Sequence, residues 1–180
     1  VKRNRTEGRL KFSTSIKEGV KKSEVIFIAV GTPPREDGEA DLTCVEDVAR
    51  QIAAAMTDYR LIVEKSTVPV EPGKWVEDNA RINIKGKVKF DVASNPEFLR
   101  EGSAISDFMK PDRIVIGVAT KRAKDLLSEL YRPIKAPLVV TDIKSAEIIK
   151  HASNSFLAAK ISFINSVANI CEKVGADIVK

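Results

Sequence analysis

Residues 94–102 read SNPEFLREG, and two carboxylates in that stretch, Glu97 and Glu101, are spaced one helical turn apart. Like charges at that spacing cost about 0.2–0.5 kcal/mol unless something uses them. Half of the stretch has a local explanation. Asn95 suits a helix cap, Pro96 the first helical position, and Glu97 the positive end of the helix dipole. Glu101 is left without one. Other reactive types are few: His151 is the single histidine, and Cys44 and Cys171 stand far apart with no CxxC spacing. A zinc site therefore lacks ligands and a disulfide framework lacks members, so no metal is expected and the thiols fit a reduced, cytoplasmic protein. Cys171 falls in an apolar helical stripe, and Cys44 near a helix start reads as a packed or capping-region thiol.

The composition is that of a globular domain: 180 residues, 43% hydrophobic and 31% charged. No apolar run approaches the roughly 18 residues that span a bilayer, and the amino end, VKRNRTEGRLK, is too polar for a signal peptide. The net charge of +5 raises the question of nucleic acid. Only Lys2, Arg3, Arg5, Arg9 and Lys11 cluster, however, and elsewhere bases alternate with acids. A mildly basic, solvated surface follows, with small anions as natural partners.

The elements that must position these residues alternate. Apolar runs at 11–13, 24–30, 60–66, 89–94, 113–118 and 137–142 are separated by amphipathic stretches at Ile16–Lys22, Leu42–Thr57, Pro72–Ile82, Pro96–Phe108 and Lys121–Tyr131. In Val25–Val30 every position is apolar, as in a strand covered on both faces. The pattern predicts an α/β fold with a doubly wound, mostly parallel sheet. Ligands of such sheets bind beyond the carboxyl ends of the strands. The turns Gly31–Pro34, Ser66–Pro69 and Ser94–Glu97 are thus expected to converge on one nucleotide or cofactor crevice. Neither GxGxxG nor GxxxxGK[ST] occurs. From Lys144 to Val174 no breaker interrupts the chain, and Gly175 suits a helix end. A helix of that length, about 45 Å, exceeds what one small sheet covers, so it is expected either to leave the domain or to be buried in a larger core.

Four ordered blocks, VGTP (30–33), STVPV (66–70), SNPEFLREGSAI with PDRIVIG (94–105, 111–117) and EIIKHASNSFLAAKISFINSVANICEKVGAD (147–177), resemble the UDP-glucose 6-dehydrogenases among the nucleotide-sugar dehydrogenases. GDP-mannose dehydrogenases share NPEFLRE, whereas PDRIVIG with KHASNSFLAAK is closer to the UDP-glucose branch. The resemblance implies a partial Rossmann-like NAD-binding domain at 1–142 and, at 143–180, a long helix leading to a central dimerisation and sugar-nucleotide domain. It also implies a fragment, inactive alone, without the GxGxxG unit and without the segment that carries the catalytic cysteine. The implied activity is oxidation of UDP-glucose to UDP-glucuronate by two NAD⁺ through a thioester, in a homodimer or higher homo-oligomer with no nucleic-acid or membrane partner. GDP-mannose or a UDP-N-acetyl-hexosamine is the alternative substrate, and a non-catalytic nucleotide-binding or dimerisation module the alternative class.

Site residues carry over as follows. Thr67 would hold the hydrolytic water, and Glu97 would act as general base or polarise that water. Lys150 and Asn154, one turn apart on the long helix, would face an oxyanion, and Glu101 would bind substrate or tune the proton inventory. Phe98, Leu99 and Arg100 would lie along the nucleotide sugar, together with Glu97, Glu101, Lys150 and Asn154. Val30, Gly31, Thr32, Ser66, Thr67 and Glu101 would meet the cofactor. Glu71-Pro72 departs from the family's usual small or polar residue and bears only on the local loop shape.

Overall fold

The computed structural model describes residues 1–66, 72–84 and 86–179. Its sheet has the order β1 (Val25–Ile28), β2 (Arg60–Glu64), β3 (Phe90–Ser94), β4 (Ile114–Val118), β5 (Leu138–Thr141). The predicted strand at 11–13 does not form, and Phe12 is 73% exposed. Neighbouring strands are parallel except β3 and β4, which pair antiparallel through Ala93–Val118 and Ser94–Gly117.

Alternation along the strands explains the two covered faces. Ile28, Ile62 and Val92 point to one face, where they meet α2 (Ile16–Lys22), α3 (Thr43–Ala55) and α4 (Pro72–Asn83). Leu61, Val63, Ala93, Ile114 and Ile116 point to the other, against α6 (Lys121–Tyr131). Every residue of β2 is buried, as a central strand of such a sheet requires. The strand's first residue, Arg60, is buried as well, and its guanidinium caps α2 by donating to Val20 O at 2.7 Å and Lys21 O at 3.3 Å. A short helix, α1 (Lys2–Thr6), occupies the basic start of the chain.

The helix expected at Pro96–Phe108 is not there. Residues 95–100 are irregular, a turn follows with Gly102 at φ +85°, and only α5 (Ala104–Met109) is helical. This loop and short helix do not cross the sheet, so the chain re-enters it running backwards, and the β3–β4 pair is antiparallel.

α7 (Ile143–Val174) has 32 residues, is capped by Asp142, which accepts from Ser145 N, and ends at Gly175 with φ +74°. Its start is seated on β4 at very close range. A Cβ on Gly117 would lie 2.7 Å from Ala146 Cβ and 2.8 Å from Asp142 O. Only a glycine lets the helix approach there. Ala146, Glu147 and Lys150 are buried, whereas further along the apolar side chains open outward, with Phe156 73% and Phe163 68% exposed.

Candidate active site at the ends of β1, β2 and β3

The residues that leave the first three strands are tied together at one edge, the second turn being described as far as Ser66. Lys65 N donates to Ile28 O (2.9 Å), Ser66 Oγ to Val30 O (2.8 Å), and Asn95 N to Glu64 O (2.8 Å). The carboxyl ends of three parallel strands are thereby tied into one edge.

Asn95 determines how the chain leaves β3. It is 2% exposed; its Nδ2 donates to Val115 O (2.8 Å), and its Oδ1 accepts from Tyr131 OH and, at 3.3 Å, from Lys65 Nζ. The side chain expected to cap a helix instead ties β2, β4 and α6 together. Burial pushes the Tyr131 phenol up to about 12, so it stays a donor to Asn95 at neutral pH.

Beyond Asn95 the loop lines a cavity of about 330 Å³, shared with Lys65, Phe108, Arg113 and Tyr131. Glu97 is held by both oxygens: Oε2 accepts from Leu99 N (2.6 Å), and Oε1 accepts from Lys150 Nζ (2.9 Å) on α7. Partial burial works to raise its pKa, but those two bonds and the ammoniums of Lys150 and Lys65 outweigh it and keep the carboxyl below its usual range. The Phe98 ring lies between two cations, 4.8 Å from the Arg113 guanidinium and 5.4 Å from Lys150 Nζ. Arg100 grips Asp107, donating from its guanidinium (2.8 and 3.2 Å) and from its backbone N–H (3.0 Å), which staples the loop to α5. These bonds hold the Asp107 carboxyl well below the usual range.

Of the residues singled out from sequence, Glu97, Phe98, Leu99 and Arg100 line the cavity, and Lys150 reaches it through Glu97. Glu101 stands on the exposed turn and Asn154 on an exposed turn of α7; neither lines the cavity. Glu97 and Glu101 share no helix, because the backbone between them is not helical. Val30, Gly31, Thr32 and Ser66 gather at the β1–β2 end of the same edge. Thr67 lies outside the described residues. Sequence reasoning did not single out Lys65 or Arg113, and it read the Asn95 side chain as a helix cap rather than as a buried tie. Position was the available signal, since Lys65 directly follows a strand and directly precedes a predicted binding turn.

Behind this edge sits Glu64, 2% exposed, with Oε1 accepting from Ser66 N (2.8 Å) and Oε2 buried without a hydrogen-bond partner among the described residues. Burial first, and then the negative charge of Glu147, push its carboxyl up to about 7, against the lowering bonds from Ser66. The sign of the linkage is fixed by that elevation. Between about 4.5 and about 7 the folded chain binds more protons at Glu64 than the unfolded chain does, so stability falls as pH rises through that window. Urea midpoints at about pH 5 and about pH 8 should therefore differ less in Glu64→Gln than in the parent chain; an equal difference would assign the pH dependence to other groups.

Comparison with known proteins bears on what this edge binds. Residues 1–135 match the NAD binding domain of the UDP-glucose/GDP-mannose dehydrogenase family, and residues 144–180 match that family's central domain. The chain belongs to that family. UDP-glucose 6-dehydrogenase TuaD of Bacillus subtilis is 51% identical over 180 residues, which is 100% of this chain and 39% of that protein. Among solved structures, a UDP-glucose dehydrogenase from the hyperthermophilic archaeon Pyrobaculum islandicum superposes with a TM-score of 0.93 at 47% identity, over 98% of this chain and 41% of that one. A ternary complex of GDP-mannose dehydrogenase from Pseudomonas aeruginosa gives 0.89 at 38% identity, over 98% and 42%. The chain thus spans about two fifths of the relatives' length. A Cβ built on Gly31 meets nothing within 4 Å, so the turn has open space in front of it. Among the described residues, no group of His, Cys, Asp and Glu could hold a metal ion, and no helix is long and apolar enough to cross a membrane.

Proposed function

We propose that the protein carrying this chain is an NAD-dependent UDP-glucose 6-dehydrogenase, oxidising the sugar C6 alcohol to the carboxylate in two hydride transfers. The reading rests on one observation above all. A carboxylate held ionised by an ammonium, Glu97 with Lys150, stands on the wall of a cavity at the edge where the β1 and β2 turns would hold a nicotinamide. NAD⁺ would accept the hydride, and this chain's residues would help hold the reactants and handle the protons. Val30, Gly31, Thr32 and Ser66 would orient the cofactor. Glu97 would take the proton of the hydroxyl or of the hydrolytic water, with Thr67 holding that water. Lys150 would offset the charge that develops on oxygen, and the backbone of Phe98, Leu99 and Arg100 would lie along the sugar nucleotide. Glu101 and Asn154, both exposed here, would reach substrate or cofactor once the remainder of the protein is packed over this edge.

UDP-glucose is favoured over GDP-mannose by the 51% and 47% identities to UDP-glucose enzymes against 38% to the GDP-mannose enzyme. Residues 1–142 would form part of the NAD-binding domain, and 143–180 the helix that leads out of it. The open apolar side of α7, around Phe156 and Phe163, would be covered by a central domain and a second subunit in a homo-oligomer of the cytoplasm. The test is stoichiometric. Full-length protein supplied with UDP-glucose and NAD⁺ should form about two NADH per UDP-glucuronate, and faster turnover of GDP-mannose, or a single NADH with aldehyde release, would overturn the assignment.

A further inference from the structure

One cation of the cavity is left over by that reading. Lys65 leaves the end of β2 into the same cavity that Glu97 lines, and among the described residues its ammonium meets only neutral acceptors, Asn95 Oδ1 at 3.3 Å and Asn95 O at 3.5 Å. No carboxylate among the described residues lies within ion-pair distance of it. The Phe108 ring, 6.0 Å away, covers another side. A half-buried ammonium without an ion-pair partner is costly to keep, and burial, followed by the like charge of Lys150, lowers its pKa against the pull of Glu97. Placing such a group beside an acid already bonded to Lys150 has one clear electrostatic result. The trio of Lys65, Glu97 and Lys150 carries a net positive charge instead of closing as a neutral pair.

We infer that Lys65 is a positioning residue of this site: it acts through Glu97, holding that carboxyl ionised so that the group is free to take a proton while Lys150 remains bonded to it. The charged groups around the trio do not supply this effect. Arg100 and Asp107 are engaged with each other, Arg113 lies over Phe98, and Lys110 and Asp112 stand on the exposed segment before β4. From α7 only Lys150 bonds Glu97. Glu64 and Glu147, behind the edge, are negative and would work the other way.

The inference rests on the catalytic reading of Glu97 but is measured without it. In full-length protein, the infrared band of a protonated carboxyl that Glu97→Gln abolishes reports Glu97 directly, whatever the substrate. In Lys65→Met, which keeps the apolar stem and removes the charge, that band should grow in at higher pH, corresponding to about a three- to ten-fold higher proton affinity. Lys65→Arg should return it toward the parent position. If turnover is also followed, the acid limb of kcat/KM should move in the same direction in Lys65→Met, with no comparable change in melting temperature. An unmoved Glu97 titration in a folded Lys65→Met protein would overturn the inference and leave Lys65 a packing residue against Asn95 and Phe108. Failure of the parent protein to oxidise UDP-glucose would count against the proposed substrate alone, since the infrared titration does not depend on it.

Discussion

Glu97→Gln in the full-length enzyme is expected to lower turnover about 10²- to 10⁴-fold, the range for removing a positioned proton acceptor, and to leave protein covalently joined to the sugar nucleotide. The substitution is selective. A glutamine keeps the size of the side chain and one of the two acceptor oxygens that Leu99 N and Lys150 Nζ use now, so one of those bonds should survive and the loop should largely keep its path. What disappears is the negative charge and the capacity to accept a proton. In the proposed reaction, hydrolysis of the thioester would need water deprotonated beside the acyl group, so the step expected to slow most is the last. Mass spectrometry of enzyme quenched during turnover should show the adduct. Unchanged steady-state turnover would remove Glu97 from the mechanism, and a loss of rate with no adduct would move its role to the first oxidation. The depressed pKa of Glu97 gives the wild type a companion signature: the base is ionised above the ordinary carboxylate range and is lost only as pH falls through its lowered value.

The spatial basis of that prediction was only partly legible in the sequence. Val25–Val30 announced a strand by an unbroken apolar run and Arg60–Ser66 by the apolar Leu61–Val63 within it, although β2 is buried throughout whereas β1 is half-buried except at Ile28, and the 32-residue α7 was visible as a run without Pro or Gly ending at a glycine. The convergence of the turns followed from parallel strands. The SNPEFLREG stretch misled, since Asn95, Pro96 and Glu97 all favour a helix from Pro96. Local signals lost to distant partners: Val115, 20 residues on, and Tyr131, 36 residues on, draw the Asn95 side chain inward and away from the cap position. With the helix gone, the four-residue spacing of Glu97 and Glu101 no longer places them together. Lys150 and Asn154 kept their helical spacing but not a shared environment, because the edge of the folded domain falls between them: Lys150 is only 7% exposed whereas Asn154 is open to solvent. Lys65 was overlooked for the opposite reason. A lysine at a strand end is usually solvated, and nothing in its neighbours along the chain reveals that an asparagine 30 residues away and a phenylalanine ring enclose it.

Lys150→Met should cost both stability and rate, and the two losses can be separated. The lysine is 7% exposed, and among the described residues it is paired with Glu97, whose side chain is 30% exposed. Removing one partner of a buried pair leaves a charge uncompensated, at about 3–5 kcal/mol when both are fully buried; water reaching Glu97 brings the expectation to about 1–3 kcal/mol. Methionine retains the stem beside the Phe98 ring, so the loss is electrostatic rather than a cavity. The double variant Lys150→Met with Glu97→Gln should recover part of that stability, because the stranded charge is then gone; strict additivity in urea denaturation would show that the pair contributes nothing to the fold. Turnover should behave differently. If Lys150 faces the developing oxyanion as proposed, loss of its ammonium should cost about 10²- to 10³-fold, and neutralising Glu97 would not restore it. Stability regained without activity would therefore locate the work of Lys150 in the reaction itself, whereas activity recovered in the double variant would reduce it to a strut for Glu97.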